Sequence, residues 1–419
     1  GQRYYYALVS YDMGDPYRGT SGLQPSECTK IITEDYSGVV TFIDKNCAVV
    51  TPNAPAAGYI PPQVNGNLTD ADGVGTGKLN VEVLNPGAIL NGASYKVQFN
   101  STVPSPILYS TTNYDVVRTY NGSVDTLMFK ADDFGAGISV SPFDGLTFSV
   151  INDTINIVDS TTGWLSGNSN YLLWPARSGI SLAMPTPKDY ELHFYSTDVD
   201  TTVITPKIAV PLKIMNTTDG YQTDLAVVDM DGSKTLSVGD TIYVIEYVSD
   251  NHTQANMRIA WKLSYELPLN PNATPVAPTD GDVYRLSISK PFKSGDSFTF
   301  VTKEATTDDS KAKTDLNNIK VVPNPYIGAA YWERRNLNST GRGERRIDFI
   351  HLPATCTIRI YSVAGQLVKT LYKDSGPADG ALSWDLISDD GMDIAYGVYI
   401  YHIDAPGIGE HIGKLAVIK

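Results

Sequence analysis

The sequence predicts an all-β protein: tandem immunoglobulin-like β-sandwiches preceded by an extended N-terminal strand arm. Three observations predict it. Short runs rich in β-branched and aromatic residues alternate apolar and polar positions, the period of a strand with one face buried and one in water. Turn sequences such as Asn85-Pro86-Gly87, Asn91-Gly92, Asn121-Gly122 and Asp144-Gly145 separate those runs. Tyrosine, at 26 residues, far outnumbers phenylalanine at 11 and tryptophan at 5. A tyrosine suits a strand position with its ring on a core and its hydroxyl in water. Helical periodicity is nearly absent. The 419 residues, 42% of them hydrophobic, suffice for about two to four domains with cores of their own.

Residues 1–62 read as the arm and a linker. Tyr4-Tyr5-Tyr6-Ala7-Leu8-Val9 resembles the penultimate strand of a fibronectin type III domain leading into a Gly-rich loop. About fifty residues cannot supply the rest of such a domain. Two readings stand: a processed fragment of a longer protein, or a strand donated to another sheet, in the same chain or in a neighbouring subunit. The Pro/Ala/Gly stretch from Pro52 to Pro62 reads as a linker. Residues 63–205 read as one sandwich, with strands at 79–84, 95–99, 107–110, 114–118, 126–130, 146–150 and 191–195. Residues 206–318 read as a second, with strands at 208–214, 225–228, 241–247, 257–263, 283–288 and 297–301, closed by a charged linker from Thr306 to Lys313. Residues 319–419 read as a third, with strands at 345–349, 356–361, 367–371, 383–386, 397–403 and 413–419 and with Trp384 and Tyr399 as core anchors.

Charge narrows the partners. With 32 basic against 46 acidic residues the net charge is -14, so nucleic acid, which needs a cationic footprint, is excluded. Such a charge suits solubility, cation binding or a crowded surface layer. No apolar run is long enough to span a bilayer. Of three cysteines, Cys28 and Cys47 are close enough in sequence for one disulfide, and Cys356 reads as a small buried thiol in an alternating strand.

The last hundred residues carry an ordered set of short motifs: Pro323-Asn324-Pro325, Leu352-Pro353, Ile360-Tyr361 with Gly365 after it, Gly397-Val398-Tyr399, and Lys414 to Lys419. This set resembles the C-terminal sorting domain of type IX secretion substrates, found in the Bacteroidetes–Chlorobi group of bacteria. It is also similar to the immunoglobulin-like domain appended to flagellar hook-capping proteins. The resemblance covers about a quarter of the chain. It implies an immunoglobulin-like fold, the secretion machinery as a partner, export across the outer membrane and a place at the cell surface. In that family the domain is often removed on attachment, so its presence here leads us to expect a retained building block.

One stretch has the donor spacing of a metal loop. Asp229, Asp231, Ser233, Thr235 and Asp240 fall at the first, third, fifth, seventh and twelfth places of a segment that resembles a dockerin-type calcium loop. Calcium takes six to eight oxygens at flexible geometry. Lys234 stands where that loop has glycine, and the segment lies between strands; an acidic hairpin turn is the competing reading. Asn67, Asn100 and Asn121 head N-glycosylation sequons. Thr126, Thr154 and Thr241 follow an aspartate as in the O-glycosylation sites of Bacteroidetes. Ordinary surface residues in turns are the alternative to a glycan at each.

No catalytic constellation is legible. The five histidines form no HxH or HExxH pair, no Gly-x-Ser-x-Gly elbow is present, and no Gly-rich phosphate loop leads from strand to helix. The expected function is therefore a non-enzymatic, secreted structural protein: a subunit of an extracellular filament or surface layer, self-associating through the N-terminal arm. The alternatives are an adhesin or carbohydrate-binding module, with tyrosines as the platform, and a non-catalytic piece of a larger secreted hydrolase.

Overall fold

The computed structural model describes residues 3–20, 22–35, 40–135, 142–328 and 345–418. Strands account for 49% of it and helix for 3%, so the protein is all-β as its alternation predicts. The chain divides into two compact units, residues 63–304 and residues 1–62 with 305–419.

In the first of these, two sandwiches are nested rather than strung in series. One has a five-stranded sheet in the order Ser123–Ala131, Leu108–Tyr120, Ser94–Ser105, Ser297–Lys303, Gln63–Gly66 and a pair formed by Leu146–Ile151 and Lys78–Val83. Period-2 alternation sends Tyr95, Val97 and Phe99 inward from one sheet and Phe148 and Val150 from the other. Phe292 stacks on Phe99 at 3.8 Å between ring centroids. The other sandwich grows from an eight-stranded sheet in the order Gly163–Ser166, Val283–Leu286, Tyr190–Phe194, Leu212–Asn216, Tyr221–Val228, Thr241–Tyr247, Met257–Glu266, Leu172–Ala176. That sheet curls until its ends meet: the Tyr284 hydroxyl, one strand in from one edge, donates to the Leu173 carbonyl of the other edge strand at 2.8 Å. Both ends feed one core around fully buried Trp261.

This pairing corrects the expected boundary at 205/206. Ser297–Lys303 pairs with Ser94–Ser105 and Gln63–Gly66, so a segment assigned to the second sandwich completes the first. Conversely, Gly163–Ser166, Leu172–Ala176 and Tyr190–Phe194 belong to the second. The second sandwich is inserted between Ile151 and Phe292 of the first. Alternation reports that a strand has a buried face, not which distant strand pairs with it.

In the other unit, a three-stranded sheet (Lys320–Val322, Ile347–Ile350, Leu382–Trp384) and a five-stranded sheet (Tyr326–Ile327, Gly409–Ile418, Gly397–Ala405, Thr355–Ser362, Leu367–Asp374) share one core. Trp384 and Tyr399 are both buried in it. Two expected linkers are structured. Asp309–Asp315 is a helix, capped by the Asp308 side chain accepting from the Lys311 amide. The stretch after Pro52 is a strap. Ala56 and Ala57 are buried, and their amides donate to the Pro377 and Leu352 carbonyls at 2.9 and 3.0 Å. Tyr59–Ile60 pairs with Thr306–Thr307. Small residues here serve close approach: a Cβ on Gly380 would stand 2.2 Å from the Pro55 carbonyl oxygen.

The N-terminal arm pairs with its own segment. Tyr4–Ala7 runs antiparallel to Cys47–Val50, and Ile32–Glu34 to Val40–Ile43. Among the described residues the arm joins no other sheet. Tyr4, Tyr5, Tyr6, Leu8, Tyr11 and Tyr17 are all exposed.

Candidate functional sites

The acidic loop follows the strand Tyr221–Val228 and ends at the start of Thr241–Tyr247. Those two strands pair, so the loop is a long hairpin connection held at both ends. It brings the three expected carboxylates together: oxygens of Asp229, Asp231 and Asp240 lie within 4.8 Å of one another, with Asp240 buried and Asp231 exposed. Backbone amides shape the ring. Asp229 accepts from Gly232, Ser233 and Lys234, at 2.8, 3.2 and 2.8 Å. Asp240 accepts from the Met230 and Ser237 amides at 2.9 and 2.7 Å. Hydrogen bonds from the Ser233 side chain and amide and from the Ser237 hydroxyl pull Asp231 down to about 2.

Lys234 adopts φ 61°, the left-handed conformation that glycine supplies at the sixth place of such loops. The departure in sequence is thus absorbed by the backbone. The three carboxylates are oxygen donors of the hard class that calcium takes. Asp229, Asp231 and Asp240 would hold the ion, with Ser233 and Thr235 beside them in the loop.

The C-terminal motifs meet in space where they are described. Asn324, between its two prolines, reaches the final strand: its side-chain amide donates to the Lys414 carbonyl at 3.0 Å, and its oxygen accepts from the Ala416 amide at 3.1 Å. Tyr326 and Ile327 then pair parallel to Val417 and Ile418. The opening motif is therefore clamped to the closing one. Gly397 begins the neighbouring strand, and the Tyr399 hydroxyl donates to the Ala395 carbonyl at 2.8 Å. Lys419 lies outside the described residues.

Cys28 and Cys47 stand as free thiols, so the expected disulfide is not formed in this structure. The Cys28 sulfur accepts from the Ser10 amide at 3.3 Å, and hydrogen bonding from Ser10 lowers its pKa; burial raises that of Cys47. Cys356 is buried as expected, and desolvation pushes it up to about 11.

The glycan candidates separate by exposure. Asn67, Asn121, Thr126 and Thr154 are exposed, and Asn121 sits with Gly122 in a tight hairpin turn of positive φ, 50° and 79°. Asn100 is half-buried with its amide donating to Asn113 and Asp115 at 2.8 and 3.1 Å, and Thr241 is half-buried in a strand. Sequence reading missed a buried charge network. Lys188 and Glu246 are 7% and 2% exposed. A signal for it existed: Glu246 shares the strand parity of buried Ile242 and Val244, where a lone carboxylate needs a partner.

No protein-family model matches the chain, and no curated protein matches it. Among solved structures it is similar to PorZ, an essential bacterial surface component of the type-IX secretion system of Porphyromonas gingivalis, at 12% identity and TM-score 0.21, over 76% of this chain and 51% of that one. It is also similar to dimeric latent PorU from the same organism, at 13% identity and TM-score 0.17, over 78% of this chain and 30% of that one. A polysaccharide lyase follows at 12% identity and TM-score 0.14, over 77% and 47%. The chain spans about half or less of each of these proteins. At such scores the likenesses carry neither fold nor function.

Proposed function

We propose that this chain is a non-catalytic part of a bacterial cell-surface protein, exported by the type IX route through its C-terminal domain and serving as extracellular β-architecture. The observation that carries this reading is the clamp between Pro323-Asn324-Pro325 and the final strand, which gives the scattered sorting-type motifs one physical unit. The acidic loop fits the same setting. Millimolar calcium outside a cell suits a site with three carboxylates on an exposed hairpin. The arm is the self-association element of this reading. A two-stranded ribbon is marginal in water by itself, and the loop that follows its first strand exposes Leu8 and Tyr17 at 82% and 93%.

The test is expression of the chain in a bacterium that carries the type IX system, with and without residues 319–419. The intact chain is expected at the surface and the shortened one in the periplasm. Surface display of both, with the shortened chain folded, would overturn the sorting role. Electron microscopy and light scattering of the purified protein test the arm. The reading expects assemblies that disappear when residues 1–50 are removed, and monodisperse monomers from the intact chain would contradict it.

A further inference from the structure

A cleft of about 520 Å³ opens beside the buried charge network of the inserted sandwich. Its floor is saturated. Glu246 accepts from the Tyr190 hydroxyl at 3.0 Å, the Asn216 amide at 3.2 Å and the Tyr221 hydroxyl at 2.6 Å. Lys188 donates to Tyr221 at 2.9 Å and pairs with Asp219 at 2.8 Å and Glu246 at 3.5 Å. The ammonium has spent its donors inside the protein, so it is not offered to an anionic ligand.

The upper walls differ. Asp224 uses one oxygen to accept the Tyr247 hydroxyl at 2.6 Å. The exposed carboxylate of Asp250 has no partner among the described residues. The cleft thus sets four carboxylates, those of Asp219, Asp224, Glu246 and Asp250, against one ammonium. The carboxylate oxygens of Asp224 and Asp250 that remain open are acceptors, beside the side chains of Gln222, Ser249 and His252. Pro106 and Ile107, from the adjoining hairpin connection, add an apolar wall, and the Tyr247 ring stacks on His252 at 4.1 Å. The cleft already holds one ammonium by this chemistry: Lys188 lies over the Tyr221 ring at 5.3 Å while bound to Asp219.

We propose that this cleft binds an alkylammonium group, with the charged head among Asp219, Asp224 and Asp250 and the methylene stem along Pro106. Excess negative charge in a partly enclosed cleft favours a cation and repels phosphate, sulfate and uronate groups. A hydrocarbon stem covers apolar surface while its charged head stays solvated. A free diamine and a lysine side chain on a partner peptide share this chemistry.

Calorimetric titration of the full chain in calcium-free buffer tests the site. The probes are 1,5-diaminopentane, a blocked lysine peptide, 1,5-pentanediol as an uncharged match in length, and glucose. We expect saturable binding of at least one ammonium probe at about millimolar concentration or below. We expect binding several-fold weaker in high salt and at least about tenfold weaker in Asp224→Asn/Asp250→Asn, which removes two carboxylate charges. Single Asp250→Asn, at an exposed position without partners among the described residues, keeps the test interpretable if the double variant fails to fold. Binding by the peptide alone assigns a protein partner; binding by the diamine alone assigns a free amine. Equal binding of the diol, a preference for glucose, an affinity unchanged by Asp250→Asn, or no ammonium binding at all would each overturn the proposal.

Discussion

At the scale of single residues, a few side chains do work that neighbours cannot replace. Asn324 satisfies two backbone groups of the final strand at once. Asn324→Ala therefore leaves a donor and an acceptor to water, and we expect it to destabilise the C-terminal sandwich by about 0.5–1.5 kcal/mol, read as a lower melting temperature. Asp240 is buried at the end of the acidic loop. Calcium is expected to raise the melting temperature of the native chain and to have no effect on Asp240→Asn; an equal rise in both would remove the metal site. The sign with pH follows from Asp231. Its folded pKa lies below the ordinary carboxyl value, so its contribution is present above about pH 4 and is lost as pH falls through about 2. Carboxyl carbon shifts followed by nuclear magnetic resonance should show Asp231 still ionised at pH 3. Thiol labelling at neutral pH should modify Cys28 well before Cys356, whose burial pushes it up to about 11. The spacing at 229, 231 and 240 was readable without coordinates because loop ligands are set by local sequence. The left-handed backbone at Lys234 was not, since no residue preference calls for it.

At the scale of elements, strands were legible and partners were not. Trp384 and Tyr399 could be named as anchors because alternation fixes which side chains face inward. The strap from Asn53 to Ile60 could not be recognised, because Pro, Ala and Gly compose both a linker and a tightly docked segment. Its use is visible only in its contacts. Gly58 has φ +79°, and a Cβ there would stand 2.5 Å from the Asp308 carbonyl oxygen. Gly58→Ala and Gly380→Ala are accordingly expected to loosen the strap at a cost of about 1–3 kcal/mol each. Faster cleavage near Pro55 in limited proteolysis would report it; unchanged cleavage would show that the strap contributes little. The helix Asp309–Asp315 escaped notice for a related reason. Seven residues are too few for a periodic apolar face, and only Ala312 is buried.

At the scale of the whole molecule, the inserted sandwich makes residues 63–304 one contact-dense unit rather than two beads. A chain cut at 205/206 would part Ser297–Lys303 from both strands that it pairs with, leaving an open sheet edge and an exposed Phe298 and Phe300. Residues 63–205 produced alone are expected to be insoluble, whereas residues 63–304 should fold. Composition bounded the class of the molecule, since its charge and its turn-separated strands left few alternatives, but nesting of domains is a non-local property that no local pattern encodes. The claim with the widest consequences is export through the C-terminal domain. Protease treatment of intact cells tests it most directly, with the full chain produced in a type IX-competent strain and in an isogenic strain lacking the secretion machinery. The account predicts digestion of the chain in the first and protection in the second. Equal digestion in both, or protection in both, would contradict it.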